Sequence, residues 1–294
     1  MAEPSGTPLL DEPYRILNAI RVSVMWSGLE LPRDRPSAGY HSFAGHDRIV
    51  AAPESHDRHT AHAAMPTHLK SVFATLLKDD RNMIDLYTWT TPNGRKVSIL
   101  LEELGVEYTP HAIDISQGEQ FEADFLKIAP NNRIPAIVDR DSDVRMMESG
   151  AIMLYLAEKY GRFLPEGAER WPAIEWLMWQ MGGVGPMFGQ VHHFVRHNPG
   201  KSTYSEERYL KEAKRLYGVL NRRLEGRDYM VGKGRGEYSI VDMATWPWVS
   251  RYDWQQIDLH QFPHVRDWYA RIAERPAVRR GYRVPKYAGD VPLP

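Results

Sequence analysis

Ile84, Leu86 and Thr88 alternate with Asp85, Tyr87 and Trp89, the period of two expected of a half-buried strand. Thr91–Pro92 then reads as an N-cap followed by proline in the first helical turn. Val97, Leu100, Leu101 and Leu104 recur at helical spacing, and Gly105 stands where such a helix should stop. A second strand is expected over Tyr108–Ile115 and a short helix over Phe121–Ile128. Two strands, Ile134–Asp139 and Val144–Met147, should flank the polar turn Arg140–Asp143. A helix is expected over Ser149–Tyr160, closed by Gly161. The order is β-α-β-α-β-β-α.

Past Gly161 the strand pattern stops. Trp171–Phe194 reads as a long apolar helix interrupted by Gly182, Gly183, Gly185 and Pro186. Glu206–Leu224 carries Leu210, Ala213, Leu216, Tyr217, Leu220 and Leu224 at helical spacing. Ser239–Trp248 and Pro263–Glu274 are expected to complete the helices, and Arg275–Pro276 with the final proline-rich run to end the domain. Strands first and helices later imply a mixed α/β domain at 83–162, an all-α domain at 170–283 and a tail at 284–294.

Residues 1–82 differ in character. Prolines punctuate them, and only Tyr14–Leu31 and Leu69–Leu77 cluster apolar residues. They are expected to be a mobile extension, dispensable for fold and activity, with Met65 or Met83 as possible true starts. Six histidines crowd 41–68, but His59–His62 in a Pro/Ala/Ser setting is a weak metal signal, and no metal is expected.

Composition narrows the chemistry. The 294 residues carry a formal net charge of −1, so no nucleic-acid or anionic-membrane footprint is expected. No membrane span and no secretory signal is evident, and a cytoplasmic location is expected. The sequence has no cysteine. A protein thiol nucleophile and thiolate metal sites are therefore excluded, and any thiol chemistry must use a thiol carried by a ligand. Phosphate-binding loops and Rossmann glycine patterns are missing.

Five runs carry a resemblance: LYTWTTPNGRKV, NNRIPAIVD, ESGAIMLYLAEKYG, WQMGGVGPMFGQVHHF and YSIVDMATWPWV. Together, over Met83 to about Tyr282, they resemble the glutathione transferase superfamily, and most closely its nu class of glutathione-dependent disulfide-bond oxidoreductases. The resemblance implies a thioredoxin-like domain followed by an all-helical domain, with glutathione as co-substrate and a homodimeric assembly. Thr91 and Asn93 replace the Cys-x-x-Cys of thioredoxin-like redox proteins, and are the expected catalytic pair, donating to a glutathione thiolate at a helix N-terminus. Tyr87 is the alternative thiol-activating residue, since some transferase classes use a first-strand tyrosine.

The resemblance also implies glutathione contacts from Gln120, Arg133, Ile134, Pro135, Glu148, Ser149 and Arg208. The Ile134–Pro135 bond is cis in the superfamily. Ser149 is expected to cap its helix and help bind the γ-glutamyl carboxylate. The glycines near 182–185 imply a close backbone approach. His192 and His193 point about 100° apart and read mainly as structural, with His193 nearer the cleft. Ser239–Asp242 reads as a structural capping box, and Trp246, Trp248, Met178 and Trp179 as core or dimer surface. Three activities fit: reduction of disulfides, conjugation of glutathione to electrophiles, and non-catalytic binding or regulation on the same fold.

Overall fold

A computed structural model describes residues 84–294. The expected extension, its apolar clusters and its histidines lie outside the described residues. Strand β1 (Ile84–Thr88) leads into helix α1 (Pro92–Leu104) and strand β2 (Tyr108–Ala112). A 3-10 turn at Glu119–Phe121 and helix α2 (Ala123–Leu126) precede strands β3 (Ala136–Asp139) and β4 (Val144–Met147). Helix α3 (Ser149–Tyr160) closes this part. The sheet order is β2-β1-β3-β4, with β1 parallel to β2 and antiparallel to β3, and β3 antiparallel to β4. This is the expected thioredoxin-like arrangement.

The period of two explains how β1 is buried. Ile84 and Leu86 are fully buried in the main core with Val97, Leu100, Ile152 and Leu156. On the other face Tyr87 packs against a small cluster of Phe125, Ala129 and Ala136. Helix α1 begins as its sequence predicts: Thr91 Oγ1 accepts from the Gly94 N–H at 3.1 Å, and Pro92 opens the first turn. Gly94 is required there, because a Cβ would lie 2.3 Å from the Trp89 carbonyl and 2.4 Å from the Thr88 hydroxyl.

The helical part contains α4 (Arg170–Trp179), α5 (Gly185–Val191), α6 (Thr203–Arg223), α7 (Ile240–Val249), α8 (Pro263–Ala273) and α9 (Pro276–Tyr282). The Ser239–Asp242 capping box forms in full at the start of α7. Asp242 also accepts from the Trp268 indole and the Met230 backbone, so the motif ties three segments together.

Several boundaries differ from expectation. Strand β2 ends at Ala112 because Asp114 folds back: its carboxylate accepts from the Ser116 amide and hydroxyl, and Glu119 accepts from its amide. The expected helix over Phe121–Ile128 is split at Glu122, which is extended. Strand β3 starts at Ala136, since Pro135 has no N–H to give a ladder. The glycines do not break the long helix; Gln180–Val184 and His192–His197 are wound as π-helix instead. Pro263–Glu274 is not the last helix, and Arg275–Pro276 is not a stop. It starts α9, with proline again in the first turn, and α9 packs along α1: Ser98 donates to the Gly281 carbonyl at 2.7 Å and Arg95 to the Tyr282 carbonyl.

Candidate active site

A cavity of about 140 Å³ lies between the N-terminal ends of α1 and α3. Asn93, Arg133, Ile134, Pro135, Met147, Glu148, Ser149 and Met181 line it. Six of the ten residues expected at the site are thus brought together from three separate runs of sequence. Ile134–Pro135 is cis.

Thr91 and Asn93 take different parts. The Thr91 side chain accepts from Gly94 as the helix cap, and Thr91 does not line the cavity. Asn93 lines it, and its amide is oriented from behind. The Trp248 indole N–H, from α7, donates to Asn93 Oδ1 at 3.0 Å. An indole nitrogen is a donor only, so the Asn93 oxygen must face it, and the amide NH₂ is left as the group available to a ligand.

Trp248 is itself held. It is 8% exposed and stacks on His192, with ring centroids 5.7 Å apart. Gln255 Nε2 donates to the Trp248 carbonyl at 2.9 Å and lies 3.2 Å from His192 Nε2, while Tyr217 donates to Gln255 Oε1. Burial pushes the His192 imidazolium down to about 4, so His192 is neutral near pH 7. Gly185 supplies the close approach expected of the glycine run: a Cβ there would lie 3.4 Å from the Trp248 indole nitrogen and 3.2 Å from Gln180 Nε2. Gly182 does not, having nothing within 4 Å. His193 is exposed.

The rim at α3 departs from expectation. The cap position belongs to Glu148, not Ser149, and Glu148 holds φ 70° and ψ 108° with no side-chain cap bond. A positive φ in a residue with a Cβ costs about 1–3 kcal/mol and persists only where surroundings impose it. Ser149 is the first helical residue, and its hydroxyl turns inward. Lys96 Nζ donates to Ser149 Oγ at 3.3 Å, to Gln180 Oε1 at 2.7 Å and lies 3.3 Å from Met181 Sδ. Lys96 is 1% exposed, and burial lowers its ammonium to about 7 against the raising effect of the Glu148 carboxylate.

The remaining expected residues lie elsewhere. Gln120 sits in the 3-10 turn, its buried Oε1 without a hydrogen-bond partner. Arg208 is exposed on α6. Tyr87 stacks on His111 with centroids 4.6 Å apart and packs against Phe125; burial raises its phenol above the ordinary value. Among the described residues no cluster of three or more His, Asp or Glu is placed to hold a metal, and no helix is long and apolar enough to cross a membrane.

Two family profiles match the chain: Glutathione S-transferase, N-terminal domain, over residues 83–158, and Glutathione S-transferase, C-terminal domain, over residues 185–276. The chain belongs to the glutathione S-transferase family. It is similar to Disulfide-bond oxidoreductase YfcG of Escherichia coli K12, 49% identical over 201 residues that cover 66% of this chain and 92% of the relative. Disulfide-bond oxidoreductase YghU of the same organism is 39% identical over 242 residues, covering 77% of this chain and 81% of the relative. A glutathione transferase structure from Burkholderia graminis, with two glutathione molecules bound per subunit, superposes with a TM-score of 0.66 at 39% identity, covering 74% of this chain and 94% of that one. One from Pseudomonas putida, with one glutathione disulfide per subunit, gives 0.65 at 39% identity over 73% and 96%.

Within this family member, Lys96, Met147 and Met181 are residues at the cavity that sequence reasoning passed over, and Trp248, expected as core or dimer surface, is a core residue that also orients Asn93. One signal was present for Lys96. It falls on the Asn93–Val97–Leu100–Leu104 face of α1, where a lysine interrupts an apolar stripe.

Proposed function

We propose that the chain is a glutathione-dependent disulfide-bond reductase that works with a thiolate supplied by its ligand. The observation that carries this is the pinned amide of Asn93. With Trp248 on its oxygen, its NH₂ is the hydrogen-bond donor beside the positive end of α1. Donation to a thiolate favours the ionised form and lowers the thiol pKa. In a chain without cysteine, that thiol belongs to the substrate.

The other cavity residues suit the rest of a glutathione molecule. The backbone of Ile134 offers strand-like hydrogen bonds to the cysteinyl unit. Ser149 and the first turn of α3 suit the γ-glutamyl carboxylate, Glu148 its ammonium group, and Arg133 the glycyl carboxylate. Gln120 and Arg208 are proposed as peripheral contacts. In the reaction, the held thiolate attacks one sulfur of the substrate disulfide, forming a mixed disulfide and releasing the other half as thiolate. A second glutathione thiolate then attacks the mixed disulfide, giving glutathione disulfide and the second reduced thiol. The enzyme contributes proximity and anion stabilisation. Relatives named as disulfide-bond oxidoreductases, and a relative holding two glutathiones per subunit, support this reading.

The test is glutathione-coupled reduction of 2-hydroxyethyl disulfide by the purified chain. Turnover above the uncatalysed rate, lost in Asn93→Ala, is expected. Absence of turnover together with conjugation of an aryl halide would replace the reductase reading with a conjugating one.

A further inference from the structure

Lys96 is a buried lysine with no carboxylate partner. Its Nζ contacts only neutral groups: the Gln180 amide oxygen, the Ser149 hydroxyl and the Met181 sulfur. Among the described residues no ion pair involves it, whereas each of the fourteen recorded ion pairs engages a Lys, Arg or His more exposed than this one. The Glu148 carboxylate acts on it only from a distance, and removing an ammonium from water without a counter-ion in contact is expensive. Such a group is retained where its charge serves a function.

Two of its three partners, Ser149 and Met181, line the cavity, so the charge lies one side chain behind the cavity wall. Ser149 Oγ accepts from the Lys96 ammonium. Its own proton is therefore directed away from Lys96; the Met181 sulfur, 3.7 Å away, is a weak acceptor for it.

We propose that Lys96 is a positioning residue that supplies the buried positive charge for the γ-glutamyl carboxylate of glutathione, acting through the Ser149 hydroxyl. This rests on the glutathione reading given above. The ammonium polarises the hydroxyl and fixes it as a donor toward the cavity. A carboxylate arriving at the first turn of α3 then meets backbone N–H groups, the helix dipole and a charge-assisted hydroxyl together. Gln180, in the π-wound segment, anchors the ammonium from the helical side. Lys96 thereby makes the pocket select a ligand bearing a carboxylate at that end over one lacking it.

The test is calorimetric binding to the full chain of two ligands: glutathione, and γ-aminobutyryl-cysteinyl-glycine, which lacks only the α-carboxylate of the glutamyl unit. Lys96→Met is expected to weaken glutathione binding tenfold or more, to leave the analogue within twofold, and to leave the thermal midpoint unlowered. Lys96→Arg should restore part of the preference. If Lys96→Met does not fold, Lys96→Gln, which keeps a hydrogen-bonding head without charge, decides by the same comparison. Equal weakening for both ligands overturns the role of Lys96 while leaving the glutathione reading intact. Failure of the unsubstituted chain to bind either ligand overturns the glutathione reading itself, and this role with it.

Discussion

Thr91 and Asn93 stand at the same helix end, yet their bonds separate their roles. Asn93→Ala removes the donor that faces the cavity. It should lower kcat by roughly 10²–10³-fold, the usual cost of one lost oxyanion-type donor. Thr91→Ala removes a cap, so unfolding in denaturant should show a loss of about 1 kcal/mol, with a much smaller change in kcat. Trp248→Phe keeps the ring stacked on His192 but frees the Asn93 amide to turn; a fall in kcat of roughly tenfold is expected, on the scale of a single hydrogen bond. Glu148 gives a different contrast. Glycine adopts its positive φ freely and alanine does not, so Glu148→Gly should be more stable than Glu148→Ala by about 1 kcal/mol, while both bind glutathione more weakly than the parent.

At the scale of the element, the periodic segments were legible and their irregular joins were not. Strand β1, helix α1 and the Ser239–Asp242 box follow from local pattern alone, because period, cap and breaker residues agree. The start of α3 could not be read that way: a serine beside a helix looks like a cap, and only the fold shows its hydroxyl engaged by a lysine from another helix. The tie between Asn93 and Trp248 spans 155 positions of sequence, and no local signal encodes it. Buried titratable groups in the helices also carry a testable pH signature. His192 is depressed from 6.5 to about 4, so between those values the unfolded chain holds the extra proton and stability rises with pH. Asp242 is raised from 3.8 to about 6 by burial; there the native state holds the proton, and stability falls as pH rises. Each amounts to on the order of 3 kcal/mol across its window, and the two oppose one another. Relative to the parent, His192→Gln should therefore lose stability as pH rises from 4 to 6, and Asp242→Asn should gain it, as followed by urea unfolding at several pH values.

For the whole molecule, the expected homodimer remains a proposal with a visible candidate face. Trp171 is 71% exposed and Met178 48% exposed, two turns apart on α4. Light scattering at micromolar concentration should give twice the chain mass, and Trp171→Glu with Met178→Glu should halve it. A chain starting at Met83 is expected to keep its turnover.

The Asn93–Trp248 hydrogen bond has one more consequence. It joins the strand-built part of the molecule to the helical part, so the aim of the reacting group reports on how well the two halves are seated. Gentle heating that loosens this seating should switch the enzyme off while its circular dichroism is still native. Inactivation would then precede melting, and the gap between the two temperatures would measure how firmly one half grips the other.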